Sequence, residues 1–290
     1  MSMADAMFWP ALFWDGRAVD VFRDPMSPDE PLLPRGAALE TQALMPLTNT
    51  VEMVCQHSSL LDLTSRLHHV TPLARARAWP QDIAQALANA PDYPTLFERG
   101  FGTPEISAAR IALAIATYER TLTSNQTPWD LWHAGDDGAL SPDELHGFEI
   151  FATKGNCSCC HMPPLFGSQL TVNDGFSAMS WDRGRAEVTE QPRDEGSFRA
   201  PVLRNVGLRE AGGLLHDGLA PGDSLEALVE AYTHAPLVGG NVGLCVRRGF
   251  EADASELAAL VAFLRHGLTD PRMQREQSPF DRPRLSSEPD

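Results

Sequence analysis

Cys157-Ser158-Cys159-Cys160-His161 is the stretch that decides the fold and the chemistry of this 290-residue chain. Two cysteines separated by two residues and followed at once by a histidine form the attachment signature of c-type haem. Both thiols can reach the porphyrin from one helical turn, and the next residue can offer an imidazole to the iron. We therefore predict one covalent haem, attached through Cys157 and Cys160, with His161 as an iron ligand.

Other uses of this cysteine cluster are disfavoured by the rest of the sequence. A structural zinc site needs a second ligand pair, and the sequence has no further Cys-x-x-Cys and no His-x-x-x-His. A thioredoxin-like pair needs a βαβ context, which the pattern does not indicate. Cys159, inside the gap, is interpreted as a spectator. Cys55 and Cys245 are interpreted as plain buried thiols rather than a disulfide pair.

The haem iron has a second axial position, whose occupant tunes the reduction potential. A methionine there gives a high potential, whereas an anionic tyrosine oxygen stabilises ferric iron and lowers the potential. On the C-terminal side of the motif the candidates are Tyr232, His234 and His216. The residues alone leave the choice open.

The composition of the chain excludes some classes of binding partner. Its formal net charge of -16 gives no electrostatic footprint for nucleic acid and would be repelled by an anionic membrane surface. The acidity serves solubility or steers a basic redox partner. The longest strongly apolar run, 111–116, is far too short to span a membrane. No export signal is visible in 1–10.

Helix signals recur along the chain. Ser141-Pro142-Asp143-Glu144 forms a capping box and predicts a helix that runs to Gly155. Thr103, as a cap before a proline, predicts a helix over 104–123. Apolar spacing predicts two further helices, one after Ser224 and one over 254–266. No convincing strand alternation is present, so the fold is predicted to be mainly α.

Three segments carry no helical pattern. Residues 24–36 are rich in proline and acidic residues and are predicted to form an exposed insertion. Residues 163–200 form a long loop, which wrapping a cofactor would explain. The tail after Asp270 has no apolar period.

The chain resembles a known family, the bacterial di-haem cytochrome c peroxidases and the related MauG, the maturase of methylamine dehydrogenase. The stretches that carry the resemblance are YERTLTSNQTPWD at 118–130, ALSPDELHGFEIF at 139–151, EVTEQPRDEGSFRAPVLRNVGL at 187–208, HDG at 216–218 and SLEALVEAY at 224–232. The last of these matches the helix that presents the distal ligand of the second haem. Its final residue is Tyr232, so the chain is similar to the MauG-like branch, and the resemblance implies that Tyr232 is that ligand.

The resemblance also implies roles for residues in the N-terminal half. FWPALFWDGRA at 8–18 matches a segment with a tryptophan between the two haems, which assigns that position to Trp14. LETQALMPLTNTVEM at 39–53 resembles the distal pocket of the peroxide-reacting haem, with Gln42, Pro46 and Glu52 at the matching positions. A carboxylate in that pocket can take a proton from hydrogen peroxide and return it to the leaving oxygen.

The sequence departs from the family pattern at several places. Residues 19–38 are an insertion between Trp14 and the pocket residues. Ala211 and Gly213 stand where threonine and proline usually present carbonyls to a bound calcium. The family's first Cys-x-x-Cys-His, its asparagine calcium ligand and its export signal have no counterpart in this chain. We therefore expect an upstream segment in the intact family member.

These observations give a domain prediction. Residues 1–124 are predicted to form an incomplete, first-haem cytochrome c-like domain, residues 125–270 a complete one, and residues 271–290 a tail. We expect the chain by itself to lack peroxide turnover. We also expect an apolar patch to be exposed around Phe8, Trp9, Phe13 and Trp14, where the upstream segment would pack.

The function implied by the resemblance is a c-type haem oxidoreductase that reduces hydrogen peroxide with electrons relayed through the C-terminal haem. A small redox protein or a protein substrate would donate the electrons. A second haem and calcium are expected in the intact family member. Haem attachment implies a periplasmic location. The alternative functions are a mono-haem electron-transfer protein without peroxidase turnover and a nonfunctional remnant.

Overall fold

The computed structural model describes residues 2–53, 59–176, 182–218, 224–234 and 241–288. It is 42% helix and 11% strand, which confirms the mainly α prediction. The α-helices are α1 (Ala38–Thr48), α2 (Leu60–Leu67), α3 (Gln81–Ala88), α4 (Tyr93–Phe101), α5 (Ala108–Glu119), α6 (Pro128–His133), α7 (Pro142–Ala152), α8 (Ala186–Thr189), α9 (Leu225–Thr233), α10 (Ala254–Ala262) and α11 (Pro271–Gln274). The strands are β1 (Ala11–Leu12), β2 (Ala18–Val19), β3 (Phe22–Asp24), β4 (Ser27–Leu33), β5 (Ala76–Ala78), β6 (Thr171–Val172), β7 (Phe198–Arg199) and β8 (Arg284–Leu285). Among the described residues, no helix combines the length and the apolar character needed to cross a membrane.

Three helices begin where the sequence predicts them, two from their caps and one from its apolar spacing. Ser141 and Glu144 form the reciprocal capping box of α7, and Ser224 accepts a hydrogen bond from the third residue of α9. Asp253 caps α10, which continues into a π-helical turn at Phe263–Gly267. The predicted end of α7 at Gly155 is three residues late, because the helix ends at Ala152.

The helix predicted over 104–123 is shorter than expected. It begins at Ala108, with Ser107 as its cap. Thr103 does not cap it because its hydroxyl and carbonyl oxygens accept hydrogen bonds from the Arg110 guanidinium, at 2.7 and 3.2 Å. The same guanidinium binds the Glu105 carbonyl, so residues 103–106 are held as a connection rather than a first turn.

The predicted exposed insertion at 24–36 contains a strand. β3 and β4 pair antiparallel, with Phe22 opposite Leu33, and the turn is closed by the Met26 amide donating to the Asp24 carboxylate. Residues 27–32 of β4 are all exposed, so this strand has no buried face. A period-two apolar pattern marks only half-buried strands, which is why no strand was predicted here.

The contacts divide the chain into two units, described separately below. One contains Met1–Arg17 with Thr123–Arg275, and the other contains Ala18–Leu122 with Glu276–Asp290. These boundaries differ from the predicted domains 1–124 and 125–270. The first 17 residues lie in the unit with the haem motif, and part of the predicted tail lies in the other unit, where β8 pairs with β5.

The unit formed by 18–122 and 276–290 has a core of small side chains. Helices α1 and α5 pack together through Ala43, Leu44, Ala109 and Ala112. Small side chains allow two helix backbones to approach closely. Glu40 is also buried in this unit and forms an ion pair with Arg120 at 2.8 Å.

The unit formed by 1–17 and 123–275 has an aromatic core around α7 and α10. Phe151, Phe166 and Phe263 are fully buried and meet edge to face, at centroid distances of 5.6 to 5.9 Å. Gly147 allows the two helices to touch, because a Cβ at this position would overlap the Ala259 carbonyl. This packing fixes the end of α7, from which the haem motif continues.

Candidate haem site

The Cys-x-x-Cys-His segment follows α7 as a tight turn. Asn156 has a left-handed backbone, with φ 51°, and Cys157–Cys159 form a 3-10 turn. The amides of Cys160 and His161 both donate to the Cys157 carbonyl, at 3.2 and 2.9 Å. Residues three apart in a 3-10 turn lie on the same side, so Cys157 and Cys160 share one face. Both thiols are free.

Cys159 projects from this turn to a partner of its own. It forms a disulfide with Cys245, with the two Cα atoms 6.1 Å apart. The interpretation of Cys159 as a spectator and of Cys245 as a plain buried thiol is therefore wrong. The pairing joins residues 86 positions apart, and nothing in local spacing reports such a contact. Cys55 lies outside the described residues.

The ring of His161 is held by backbone carbonyls. Its Nδ1 lies 2.9 Å from the Pro201 carbonyl and 3.3 Å from the Phe166 carbonyl. A carbonyl only accepts, so Nδ1 carries the proton and Nε2 keeps its lone pair free. Burial lowers the pKa of His161 to about 4, so the imidazole is neutral at pH 7. This is the tautomer that a metal ligand needs.

The two free thiols and His161 line one large cavity. Its volume is about 830 Å³, and its walls are mostly apolar. The apolar wall residues include Phe151, Phe198, Leu203, Leu214, Leu228, Val229, Phe250, Leu260 and Leu264. A volume of this size, with few polar groups on an apolar wall, is typical of a cofactor site.

A half-buried arginine in the cavity wall provides a further test of whether haem fits. The Arg209 side chain donates from Nη2 to the Val202 carbonyl at 2.7 Å, but its buried Nε has no hydrogen-bond partner within the described residues. Burial lowers the pKa of this guanidinium below its usual range. A cation with a buried, unpaired N–H favours an anionic group of a ligand. Haem carries two carboxylates, so the thiols, the imidazole and Arg209 all fit that cofactor.

Burial also affects the attachment thiols. It raises the pKa of Cys157 to about 12, so this thiol stays protonated at neutral pH. The pKa of Cys160 is raised as well, by burial and by the nearby Asp174. Both thiols are therefore protonated at neutral pH.

Tyr232, the predicted distal ligand, borders the same cavity. Its hydroxyl donates to an Asp174 carboxylate oxygen at 3.4 Å, and its ring meets Phe176 edge to face. Burial and the Asp174 charge raise the pKa of Tyr232 well above its usual value. Burial likewise raises the pKa of Asp174. Asp174 was not singled out from the sequence, where one more acidic residue in a long loop carries no signal.

The two histidine alternatives have different surroundings. His234 follows the last residue of α9 and is exposed. His216 lines the cavity, stacked on Phe198 at a centroid distance of 3.5 Å, and its Nε2 lies 3.6 Å from the Asp182 carboxylate.

Trp14 also lines the cavity, although it is 143 positions before Cys157. Its carbonyl accepts a hydrogen bond from the Arg199 amide at 2.7 Å, and its ring lies edge-on to His216 at 6.3 Å. Of the predicted apolar patch, Phe8 is 46% exposed, whereas Trp9, Phe13 and Trp14 are half-buried.

The predicted peroxide-pocket residues lie in the other unit, on α1 and just after it. Gln42 and Pro46 are one helical turn apart on α1, and the Gln42 Oε1 atom is buried without a hydrogen-bond partner among the described residues. Glu52 is exposed in the turn after α1, where it accepts a hydrogen bond from Asn49 at 3.3 Å.

Sequence comparisons show which family the chain resembles. A family profile described as di-haem cytochrome c peroxidase matches residues 1–138. The methylamine utilization protein MauG of Methylophilus methylotrophus is 28% identical over 256 residues, covering 88% of this chain. Cytochrome c551 peroxidase of Nitrosomonas europaea is 31% identical over 260 residues, also covering 88% of this chain. The chain is similar to the di-haem cytochrome c peroxidase and MauG family. It spans 63% and 60% of the length of these two relatives.

Solved structures show the same fold. The diheme peroxidase BthA of Burkholderia thailandensis matches with a TM-score of 0.60 and 20% identity, covering 96% of this chain and 70% of that one. A MauG-like protein associated with microbial copper homeostasis matches with a TM-score of 0.51 and 26% identity, covering 63% of each chain.

Proposed function

We propose that this chain binds one covalent haem c and acts in a peroxidase-type oxidoreductase of the di-haem cytochrome c peroxidase and MauG type. The observation that carries the proposal is the shared wall of one cavity. Two free thiols on one face of a turn lie beside a histidine whose Nε2 is free, in a mostly apolar space with an arginine whose Nε is buried. Haem bound there would supply one-electron transfer at its iron.

The residues around the cavity have separate proposed roles. Cys157 and Cys160 hold the cofactor, His161 offers Nε2 to the iron, and its Nδ1 proton is kept in place by two carbonyls. Tyr232 is the proposed distal ligand. The exposure of His234 supports Tyr232 over that residue. His216 stays the alternative ligand, because it lines the cavity and its buried Nε2 has no hydrogen-bond partner among the described residues.

The substrate and its reduction follow from the family. We propose that hydrogen peroxide is the oxidant and that a small redox protein or a protein substrate donates electrons through the site at His161. Trp14, on the cavity wall, is the proposed route between this site and the first haem. Gln42, Pro46 and Glu52 are the proposed peroxide-pocket residues, with Glu52 moving the proton between the two peroxide oxygens. Calcium binding near Ala211 and Gly213, and the second haem, remain predictions.

A periplasmic location is part of the proposal. Haem attachment to Cys-x-x-Cys-His motifs takes place after export in the family, and the Cys159–Cys245 disulfide is typical of an oxidising compartment.

Covalent haem staining tests the central claim. The chain is expressed in a host with periplasmic haem-attachment machinery, denatured, separated on a gel and stained for haem peroxidase activity. We expect a stained band for the wild type and for Ser158→Ala, a control in the same turn, and a weak or absent band for Cys157→Ala and Cys160→Ala. An unstained wild-type band would refute the proposal.

The alternative is a mono-haem electron-transfer protein. The chain alone is expected to bind one haem and to lack peroxide turnover under both functions. Peroxide turnover with an electron donor, measured on a longer chain that also carries the first haem, separates them, and reversible reduction without turnover there would favour the electron-transfer protein.

A further inference from the structure

The Cys159–Cys245 disulfide connects the haem-attachment turn to a second segment, residues 241–250, here named the strap. The Asn156 side chain also donates to the Cys245 carbonyl, at 3.3 Å, so the strap contacts the turn by one covalent and one hydrogen bond. Further hydrogen bonds hold the strap to the unit. The Asn241 side chain bonds to the Asn173 side chain and to the Glu195 carbonyl, at 2.9 and 2.5 Å. The Gly243 amide donates to the Asn173 carbonyl at 2.9 Å, and the Phe250 amide donates to the Thr233 carbonyl at 3.2 Å.

The strap forms part of the cavity wall. Cys245, Val246, Gly249 and Phe250 all border the cavity that holds the two free thiols. The strap carries no helix or strand of its own, so its position depends on the disulfide and on these hydrogen bonds. The disulfide is the covalent bond that joins the strap to the haem-attachment turn.

The same pairing decides which thiols are available. The sulfurs of Cys159, Cys160 and Cys245 lie within 4.8 Å of one another. Three cysteines occupy four positions of the turn, yet haem attachment uses two of them. A reduced Cys159 would be a competing nucleophile directly next to Cys160, whereas a disulfide-bonded Cys159 cannot add to a vinyl group.

We propose that the Cys159–Cys245 disulfide reserves Cys157 and Cys160 for haem attachment and fastens the strap over the haem cavity. The first half of this inference rests on the proposed haem attachment, whereas the second half does not. The disulfide must form before the haem is attached.

Formation of the Cys159–Cys245 disulfide needs a two-electron oxidant, which an external disulfide supplies. A thiolate of Cys159 or Cys245 attacks the disulfide of a thiol–disulfide oxidoreductase and forms a mixed disulfide. The other cysteine then displaces the oxidoreductase. The two cysteines together lose two protons and two electrons, and the oxidoreductase leaves as a dithiol.

Three variants test the selection of thiols. Cys245→Ser leaves Cys159 free, Cys159→Ser removes the competitor, and the double variant removes both. Mass spectrometry of the haem peptides identifies the cysteines that carry thioether bonds. We expect attachment at Cys157 and Cys160 in the wild type, in Cys159→Ser and in the double variant. Cys245→Ser should give haem peptides attached through Cys159 and at least about a twofold loss of holoprotein, which the double variant restores.

Trypsin tests the strap independently of haem. Arg247 and Arg248 are exposed cleavage sites within the strap. In haem-free protein, reductant should raise the cleavage rate at these sites by at least about fivefold in the wild type and leave the double variant unchanged. Peptide mapping without reductant should recover Cys159 and Cys245 as one cross-linked pair.

Each outcome bears on one claim. If Cys245→Ser attaches haem as the wild type does, or if the wild type yields Cys159 and Cys245 as free thiols or metal ligands, the inference is wrong. If the cross-linked pair and the reductant effect are found but no variant attaches haem, the proposed function fails while the fastening of the strap stands.

Discussion

Replacing Asp5 with asparagine should stabilise this protein at neutral pH and remove part of its pH dependence. Asp5 anchors the N-terminal segment that brings Trp14 to the cavity wall. Its Oδ1 accepts a hydrogen bond from the Ser124 amide at 2.9 Å, and its Oδ2 is buried with no hydrogen-bond partner among the described residues. The residue is 1% exposed and has a left-handed backbone, with φ 62°, which asparagine tolerates well.

The magnitude follows from the pKa of this carboxyl. Burial raises the pKa of Asp5 from 3.8 to about 6, although the Ser124 amide and Arg204 oppose the rise. The folded protein therefore binds this proton more tightly than the unfolded chain. The contribution of Asp5 to stability is greatest below pH 3.8 and falls as the pH rises to about 6. At about 1.4 kcal/mol per pH unit, the ionised carboxylate costs about 3 kcal/mol above that window.

An amide has the shape of the protonated carboxyl and does not ionise, so Asp5→Asn should avoid this cost. The measurement is urea unfolding of wild type and variant at several values between about pH 4 and pH 7.5, followed by fluorescence and circular dichroism. We expect equal stability near pH 4 and a gain of up to about 3 kcal/mol for the variant at pH 7.5. Asp137→Asn, at an exposed position, is the control and should change little. A stability difference that is independent of pH would refute the reasoning.

Three further changes have expected outcomes. Gly147→Ala should destabilise the protein by about 1–3 kcal/mol in urea unfolding, because its Cβ would overlap the Ala259 carbonyl, whereas Gly138→Ala, on the surface, should be nearly neutral. Tyr232→Phe should shift the ferric absorption spectrum of the holoprotein toward high spin, and an unchanged spectrum would assign the distal ligand elsewhere. Glu119→Gln should stabilise the protein above pH 7, since burial and a neighbouring carboxylate raise the pKa of Glu119 to about 7; thermal unfolding at pH 5 and pH 8 should show a gain only at the higher pH.

The parts of the fold that sequence predicted well are those with local causes. The caps at Ser141 and Ser224 act within one helical turn, and the structure contains both. The apolar spacing that predicted α10 is local in the same way. The predicted start of α5 was wrong because the oxygens of Thr103 accept hydrogen bonds from the Arg110 guanidinium instead of from the first turn of a helix. A side chain seven positions away changed which residue caps the helix, and a capping pattern does not record that.

The residues of the candidate site also differ in whether a local sequence pattern predicts them. Cys157, Cys160 and His161 form a contiguous motif, and spacing alone is enough to select them. Asp174 and Arg209 border the cavity by virtue of tertiary packing. Both line the cavity wall, but in the sequence each is one ionisable residue among many.

The two largest discrepancies, the domain boundary and the disulfide, share one physical origin. The first 17 residues belong with the haem motif because the Ser124 amide binds Asp5, the Arg185 guanidinium binds the Asp15 carbonyl at 2.8 Å, and the Arg199 amide binds Trp14. These contacts join residues more than 100 positions apart, as the disulfide joins residues 86 positions apart. Each is specified by a pair of distant residues, so neither periodicity nor composition can report it. The resemblance to the family predicted that Trp14 lies beside the haem site. It could do so because an alignment with a relative reflects contacts between residues that are distant in sequence. The predictions for Cys159 and Cys245 were wrong for the same reason. An extra cysteine within the motif is informative only when its distant partner is known.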